Sequence, residues 1–166
     1  MLLIVSILIL LPIIDQLLKL LALQYLSEVP VGIIGNAVNL TLVKNNGAAF
    51  GIGVNHRVVL LVLTVFVLIC AVWLLLFSEI KFSSKIAMAF VVGGGLGNLF
   101  DRIFRGFVVD YIDLRFLHFA VFNFADICVS LGSAVLIFLI LSLILYCRNF
   151  LCMWRGYYSY FSCICF

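Results

Sequence analysis

The sequence predicts an all-α polytopic membrane protein, with four transmembrane helices, a small extracytoplasmic β-sheet and an aromatic-rich connector. Three observations carry that expectation. Hydrophobic residues fill 67% of the 166 positions and charged residues only 10%, against roughly 25% charged in soluble domains. Four apolar segments approach the length of about 20 residues that a helix needs to cross a bilayer. Between the first two of them, Val38-Asn39-Leu40-Thr41-Leu42-Val43 alternates in the manner of a strand. The reading is one helical-bundle domain over 1–147, followed by a Cys- and aromatic-rich tail over 148–166.

The first span is placed at about 1–26 and contains Asp15, Lys19 and Gln24. It does not read as a cleavable signal peptide, because it lacks a basic leading region and polar residues interrupt its apolar run. The connector Ser27 to Arg57 holds the alternating run and then Asn45-Asn46-Gly47, whose Asn-Gly pair is a hairpin-turn signal. The second span, 58–77, has no charged residue. The third, 86–101, reads as short and Gly-rich, with Gly93 and Gly97 at the small-xxx-small spacing that lets helices approach closely. A second connector, Arg102 to Asn123, carries Phe104, Phe107, Tyr111, Phe116, Phe119 and Phe122, rings suited to the headgroup region. The fourth span, 124–147, has Asp126 as its one charge.

Four spans put both termini on one side. With the termini inside, Lys81, Lys85, Arg148 and Arg155 are cytoplasmic, while Lys44, Arg57, Arg102, Arg105 and Arg115 lie in the two outer connectors. The raw count does not discriminate, but the inner charges are denser along the chain. That density predicts cytoplasmic termini.

Several function classes are disfavoured. A net charge of +3 with no basic cluster argues against a nucleic-acid partner. His56 and His118 sit in no nucleophile motif, and neither G-x-S-x-G nor H-E-x-x-H occurs. Cys70 and Cys128 fall in spans, and Cys147, Cys152, Cys163 and Cys165 in the tail, at spacings that match no standard zinc pattern. Reversible acylation of Cys147 or Cys152 is a weak alternative use.

The seven carboxylates are more informative. An ionisable group at the edge of the hydrocarbon is costly, which makes function its default reading. Asp110 ends Gly106-Phe107-Val108-Val109-Asp110, and Asp126 ends Phe122-Asn123-Phe124-Ala125-Asp126. Two acids that share a site do not both ionise easily, the physical basis of aspartic protease chemistry. A plain alternative for Asp126 is helix capping, with Asn123 as N-cap and Asp126 at N3. That place would favour an ionised Asp126 and leave Asp110 to hold a shared proton. Asp15 and Lys19 form an i, i+4 pair that either locks the first helix to its neighbours or supports a site in the outer half of the bundle. Asn98 and Asp101 share a helix face, and Asp101 at a helix C-terminus calls for a cation from the outer sheet or loop.

Taken together, Asp15-Gln16-x-x-Lys19, Asn45-Asn46-Gly47-Ala48-Ala49-Phe50, Gly97-Asn98-Leu99-Phe100-Asp101-Arg102, Gly106-x-Val108-Val109-Asp110 and Phe122-Asn123-x-Ala125-Asp126 closely resemble the bacterial lipoprotein signal peptidase family, signal peptidase II. The match is collinear from about residue 11 to 140. The resemblance implies an aspartic endopeptidase of the bacterial inner membrane that removes prolipoprotein signal peptides, cutting before a diacylglyceryl-modified cysteine. It places the catalytic pair at Asp110 and Asp126. Supporting or substrate-binding roles fall to Asp15, Lys19, Asn45, Asn98, Asp101, Arg102, Asn123 and Ala125. It further implies a monomer in contact with membrane lipid, without metal or organic cofactor, its active site toward the extracytoplasmic face. The chain departs from the family at Cys147 to Phe166, where members carry a short basic tail. Two rival readings are a small transporter using these carboxylates as a cation relay, which inverted repeats would mark, and a structural partner subunit.

Overall fold

Helices form where the apolar segments lie, and a three-stranded sheet joins the two long connectors. The structure, a computed structural model, describes residues 1–35, 37–47, 57–117 and 119–162, with residues 57, 117 and 147–162 described in backbone only. Ala48, Ala49, Phe50, both histidines (His56 and His118), Cys163 and Cys165 lie outside the described residues. In chain order the elements are α1 (Leu2–Tyr25), β1 (Val31–Ile34), β2 (Val38–Asn45), α2 (Arg57–Phe77), α3 (Phe82–Phe104), β3 (Val108–Leu114), a 3-10 turn (Arg115–Leu117) and α4 (Phe124–Ser162). Among the described residues, four stretches are long and apolar enough to cross a membrane: Leu2–Tyr25, Val58–Phe77, Phe82–Phe104 and Phe124–Tyr146.

The third span is longer than its sequence suggested, 23 residues rather than the short 86–101 segment. Polar residues that looked like its ends, Lys85 and Arg102, lie inside the helix. α3 is also the most buried of the four and packs against α1, α2 and α4. Its glycines make this possible. A Cβ at Gly97 would sit 2.4 Å from Asp15 Oδ2 of α1, and one at Gly94 would sit 2.5 Å from the Ala125 carbonyl oxygen of α4. The close approach expected of Gly93 and Gly97 is therefore made toward α1, where Gly93 meets Leu11. α4 continues as one helix from Phe124 to Ser162, through the point where the tail was expected to begin.

The sheet order is β1-β2-β3, both pairings antiparallel. The segment that would return from the hairpin expected at Asn46-Gly47, residues 48–56, lies outside the described residues. The turn that pairs β2 with its predecessor precedes it, at Gly35 (φ 54°), and the other partner of β2 comes from the second connector. After β2, Asn45 Oδ1 accepts the Gly47 N–H at 2.9 Å, a local Asx turn. Ala22 of α1 packs with Val109 and Tyr111 of β3, which seats the sheet on the helical bundle. Phe122 forms a bridge to Ile112, its N–H donating to the Ile112 carbonyl at 3.0 Å and its carbonyl accepting from Ile112 N–H at 2.8 Å. That bridge brings Asn123 beside β3 at the point where α4 begins.

Candidate active site

Asp110 is buried in β3, and Asp126 occupies the first turn of α4. The α4 N-terminus is built by reciprocal capping. Asp126 N–H donates to Asn123 Oδ1 at 3.0 Å, and Asn123 N–H donates to Asp126 Oδ2 at 3.1 Å. The cap leaves the second oxygen of Asp126, Oδ1, to accept from Asn98 Nδ2 at 2.7 Å.

Amides hold Asp110 in the same way. Asn45 Nδ2 donates to Oδ2 at 2.8 Å and Asn123 Nδ2 to Oδ1 at 2.6 Å. Asn123 also donates to Asn98 Oδ1 at 3.1 Å, so two asparagines link the carboxylates in an unbroken chain of hydrogen bonds. Both acids line one cavity of about 90 Å³ together with Asn45, Asn98 and Arg102. A cavity of that size and polarity has room for water. Burial pushes the Asp110 carboxyl up to about 6, the Asn45 hydrogen bond opposes that rise, and neighbouring Asp126 adds to it.

Beneath the pair lies a buried ionic network. Lys19 Nζ reaches Asp15 Oδ2 at 2.8 Å, Asp101 Oδ2 at 3.0 Å and Asn98 Oδ1 at 2.8 Å, and all three charged side chains are fully buried. Asp15 in turn accepts the Ala125 N–H at 3.0 Å, so Ala125 contributes backbone to the network. The Asp15–Lys19 pair thus ties α1 to α3 and to the start of α4. Asp101 finds the loop cation expected of it in Arg105, which follows the end of α3, and a second cation in Lys19 of α1. β3 supplies a backbone donor, Val109 N–H, at 3.0 Å.

Sequence reasoning gave no role to Arg105, Tyr111 or Gln16 taken singly. Arg105 lies four residues after Asp101, an ion-pair spacing legible in the sequence. Gln16 Nε2 donates to the Gly97 carbonyl at 3.1 Å, and Gln16 Oε1 accepts from Arg105 at 2.6 Å. The Tyr111 hydroxyl accepts from Phe124 N–H at 3.3 Å, and burial pushes its phenol up to about 12.

A second cavity, about 320 Å³ and almost wholly apolar, reaches Asp126 along Leu114, Phe122, Ile127 and Leu131. Of the two acids, Asp126 is the one this cavity reaches.

Comparison with known proteins agrees with this geometry. The family model described as signal peptidase (SPase) II matches residues 7–142. The lipoprotein signal peptidase of Caldicellulosiruptor bescii is 37% identical over 129 residues, 78% of this chain and 84% of that protein. That of Streptococcus pneumoniae is 38% identical over 128 residues, 74% of this chain and 82% of the relative. A bacterial membrane enzyme solved by the in meso method at 2.3 Å resolution superposes with a TM-score of 0.78 at 29% identity, covering 84% of this chain and 87% of that one. A second such structure, at 1.9 Å resolution, gives a TM-score of 0.76 at 28% identity, covering 83% and 92%.

Proposed function

Since this chain belongs to the signal peptidase II family, we propose that it removes the signal peptides of prolipoproteins as an aspartic endopeptidase with Asp110 and Asp126 as its catalytic pair. The observation that carries the reading is the shared cavity: two carboxylates from different elements, tied through Asn98 and Asn123, line one space.

Asp126, fixed at the helix N-terminus by the reciprocal cap, serves as the general base. Asp110, whose affinity for a proton is raised by burial, holds the shared proton. Asp126 removes a proton from a water between them as that water attacks the scissile carbonyl carbon. Asp110 gives its proton to the carbonyl oxygen; as the C–N bond breaks, the proton gained by Asp126 passes to the leaving amine and a hydroxyl of the tetrahedral intermediate returns its proton to Asp110. No metal or organic cofactor enters this cycle. Arg102, lining the same cavity, offsets the negative charge of the pair. Lys19, Asp15, Asp101 and the Ala125 backbone hold the asparagines and β3 in place.

The apolar cavity beside Asp126 suits the acyl chains of a diacylglyceryl-modified cysteine, each buried methylene contributing about 0.8 kcal/mol. The scissile bond is then the one just before that cysteine. The pair faces the extracytoplasmic side of the bacterial inner membrane and both termini are cytoplasmic, a reading supported by Lys81 in the short α2–α3 turn and Lys85 in the first turn of α3, at the opposite end of the bundle.

The test is cleavage of a lipid-modified prolipoprotein by purified protein. Asp110→Asn and Asp126→Asn are each expected to abolish it, and the same peptide without lipid is expected to be cut far more slowly. Near-normal turnover by either variant would remove the two-aspartate mechanism.

A further inference from the structure

We propose that Arg105 is a positioning residue for Asp110, acting as the second counter-ion of buried Asp101; the proposal rests on Asp110 being half of the catalytic pair. Asp101 uses both carboxylate oxygens. Oδ2 meets Lys19 Nζ at 3.0 Å and accepts the Val109 N–H at 3.0 Å, while Oδ1 meets the Arg105 guanidinium and accepts from Gln16 Nε2 at 3.3 Å. Val109 is the residue before Asp110, so the carboxylate that holds its N–H fixes where β3 presents the reacting group. The backbone of Asp101 acts on the same turn. Its carbonyl accepts from Arg105 N–H at 2.8 Å and from Gly106 N–H at 3.0 Å, and Gly106 (φ 88°) then turns the chain into β3.

Arg105 is itself held by groups other than Asp101. Gln16 Oε1 accepts from it at 2.6 Å, and its guanidinium carbon lies 5.8 Å from the centre of the Phe100 ring. Gln16 is anchored in turn to the Gly97 carbonyl. An arginine fixed at three points from α1 and α3 is unlike a mobile surface ion pair, which typically contributes little.

Charge balance gives the consequence. Asp15 and Asp101 face Lys19 and Arg105, two charges of each sign. Without Arg105, two carboxylates share Lys19, the ammonium whose charge also favours ionisation of Asp110. The groups facing Asp110 are Lys19 from α1, Arg102 from α3 and Asp126 from α4, with Tyr111 adjacent on β3. A net negative charge left beside this set disfavours ionisation of the pair.

The experiment uses purified full-length protein in detergent with a lipid-modified prolipoprotein. Arg105→Gln retains hydrogen-bonding capacity and removes the charge. It is expected to lower kcat by at least about tenfold, as small misplacements of reacting groups do, to leave KM within about twofold, and to move both limbs of the kcat pH profile upward. Arg105→Lys restores the charge and is expected to return the pH profile to that of wild type and recover most of kcat. Wild-type kcat and pH limbs in Arg105→Gln, or an Arg105→Lys protein no better than Arg105→Gln, would overturn the proposal. Where Arg105→Gln does not fold, adding Asp101→Asn removes the unmatched charge and is expected to restore a folded protein; failure to do so also overturns it. Asp110→Asn assayed alongside separates the two readings. Cleavage by Asp110→Asn removes the catalytic assignment itself, whereas an inert Asp110→Asn beside an indifferent Arg105→Gln removes only the role of Arg105.

Discussion

Asn123 and Asp126 cap one another, each backbone N–H donating to the other's side chain at 3.0 to 3.1 Å. The arrangement fixes Asp126 before any substrate arrives and leaves Asn123 Nδ2 to reach Asp110 and Asn98. A helix cap thus serves as the joint between two carboxylates, and the energetics of the cap and of the pair are coupled.

The first prediction is a pH dependence of stability. The Asp110 carboxyl is raised from 3.8 to about 6, so between those values the folded state binds a proton that the unfolded chain does not. Stability associated with this group is therefore fully present below about pH 4 and lost as pH rises through about 6. The span corresponds to about 3 kcal/mol. Asp110→Asn does not titrate at this position. The melting temperature of wild type relative to Asp110→Asn should fall from pH 4 to pH 6.5 and level off above. A difference that stays constant across that range would mean Asp110 is not raised.

Much of this site was legible because the sequence left few polar residues to distribute. In a chain with 10% charged residues, Asp15, Lys19, Asn98 and Asp101 at helical spacing had to face inward, and they do. The cap was readable from Asn123-x-x-Asp126. The pairing of β3 with β2 was not, because Val108–Leu114 lies among aromatics that read as a membrane-interface belt and its partner lies in the other connector. The full length of α3 was hidden for a related reason. Lys85, Asp101 and Arg102 look like helix ends until their partners in other elements are known.

Lys19 is the common cation of Asp15 and Asp101. Lys19→Ala strands Asp15 in a fully buried position, and breaking such a pair from one side costs about 3–5 kcal/mol. Removing Asp15 as well, as Asp15→Ala with Lys19→Ala, leaves Asp101 with Arg105 as a balanced pair. The double variant should therefore melt higher in detergent than Lys19→Ala alone. Equal melting of wild type and Lys19→Ala would show that the ammonium is not confined by these partners.

Adjacent glycines of α3 should differ sharply in tolerance. An added Cβ at Gly94 meets the Ala125 carbonyl oxygen at 2.5 Å, rigid backbone at the start of α4. At Gly93 its nearest neighbours are side-chain atoms of Leu11 at 3.1 and 3.2 Å, which can shift by a few tenths of an ångström. Gly94→Ala should push α4 away, lower the melting temperature and depress cleavage, since overpacking costs about 1–3 kcal/mol and Asp126 moves with the helix. Gly93→Ala should stay near wild type in both assays. Similar losses in the two variants would show that the α3–α4 contact is not the tighter one.

Orientation across the membrane gives the last prediction. Glu28 follows α1 at the end of the bundle that carries the sheet, and Glu79 lies in the α2–α3 turn at the other end. Both are exposed, and replacing either removes the same charge. In a background without native cysteines, Glu28→Cys should react with a membrane-impermeant thiol reagent added to intact cells, and Glu79→Cys should react only after the membrane is opened. Lys81 in that short turn and Lys85 in the first turn of α3 hold this end inside, because cationic short loops and their flanking helix ends are retained in the cytoplasm. Reaction of Glu79→Cys in intact cells with Glu28→Cys protected would invert the topology. It would also place the Asp110–Asp126 cavity on the cytoplasmic side, and the proposed extracytoplasmic cleavage would fall with it.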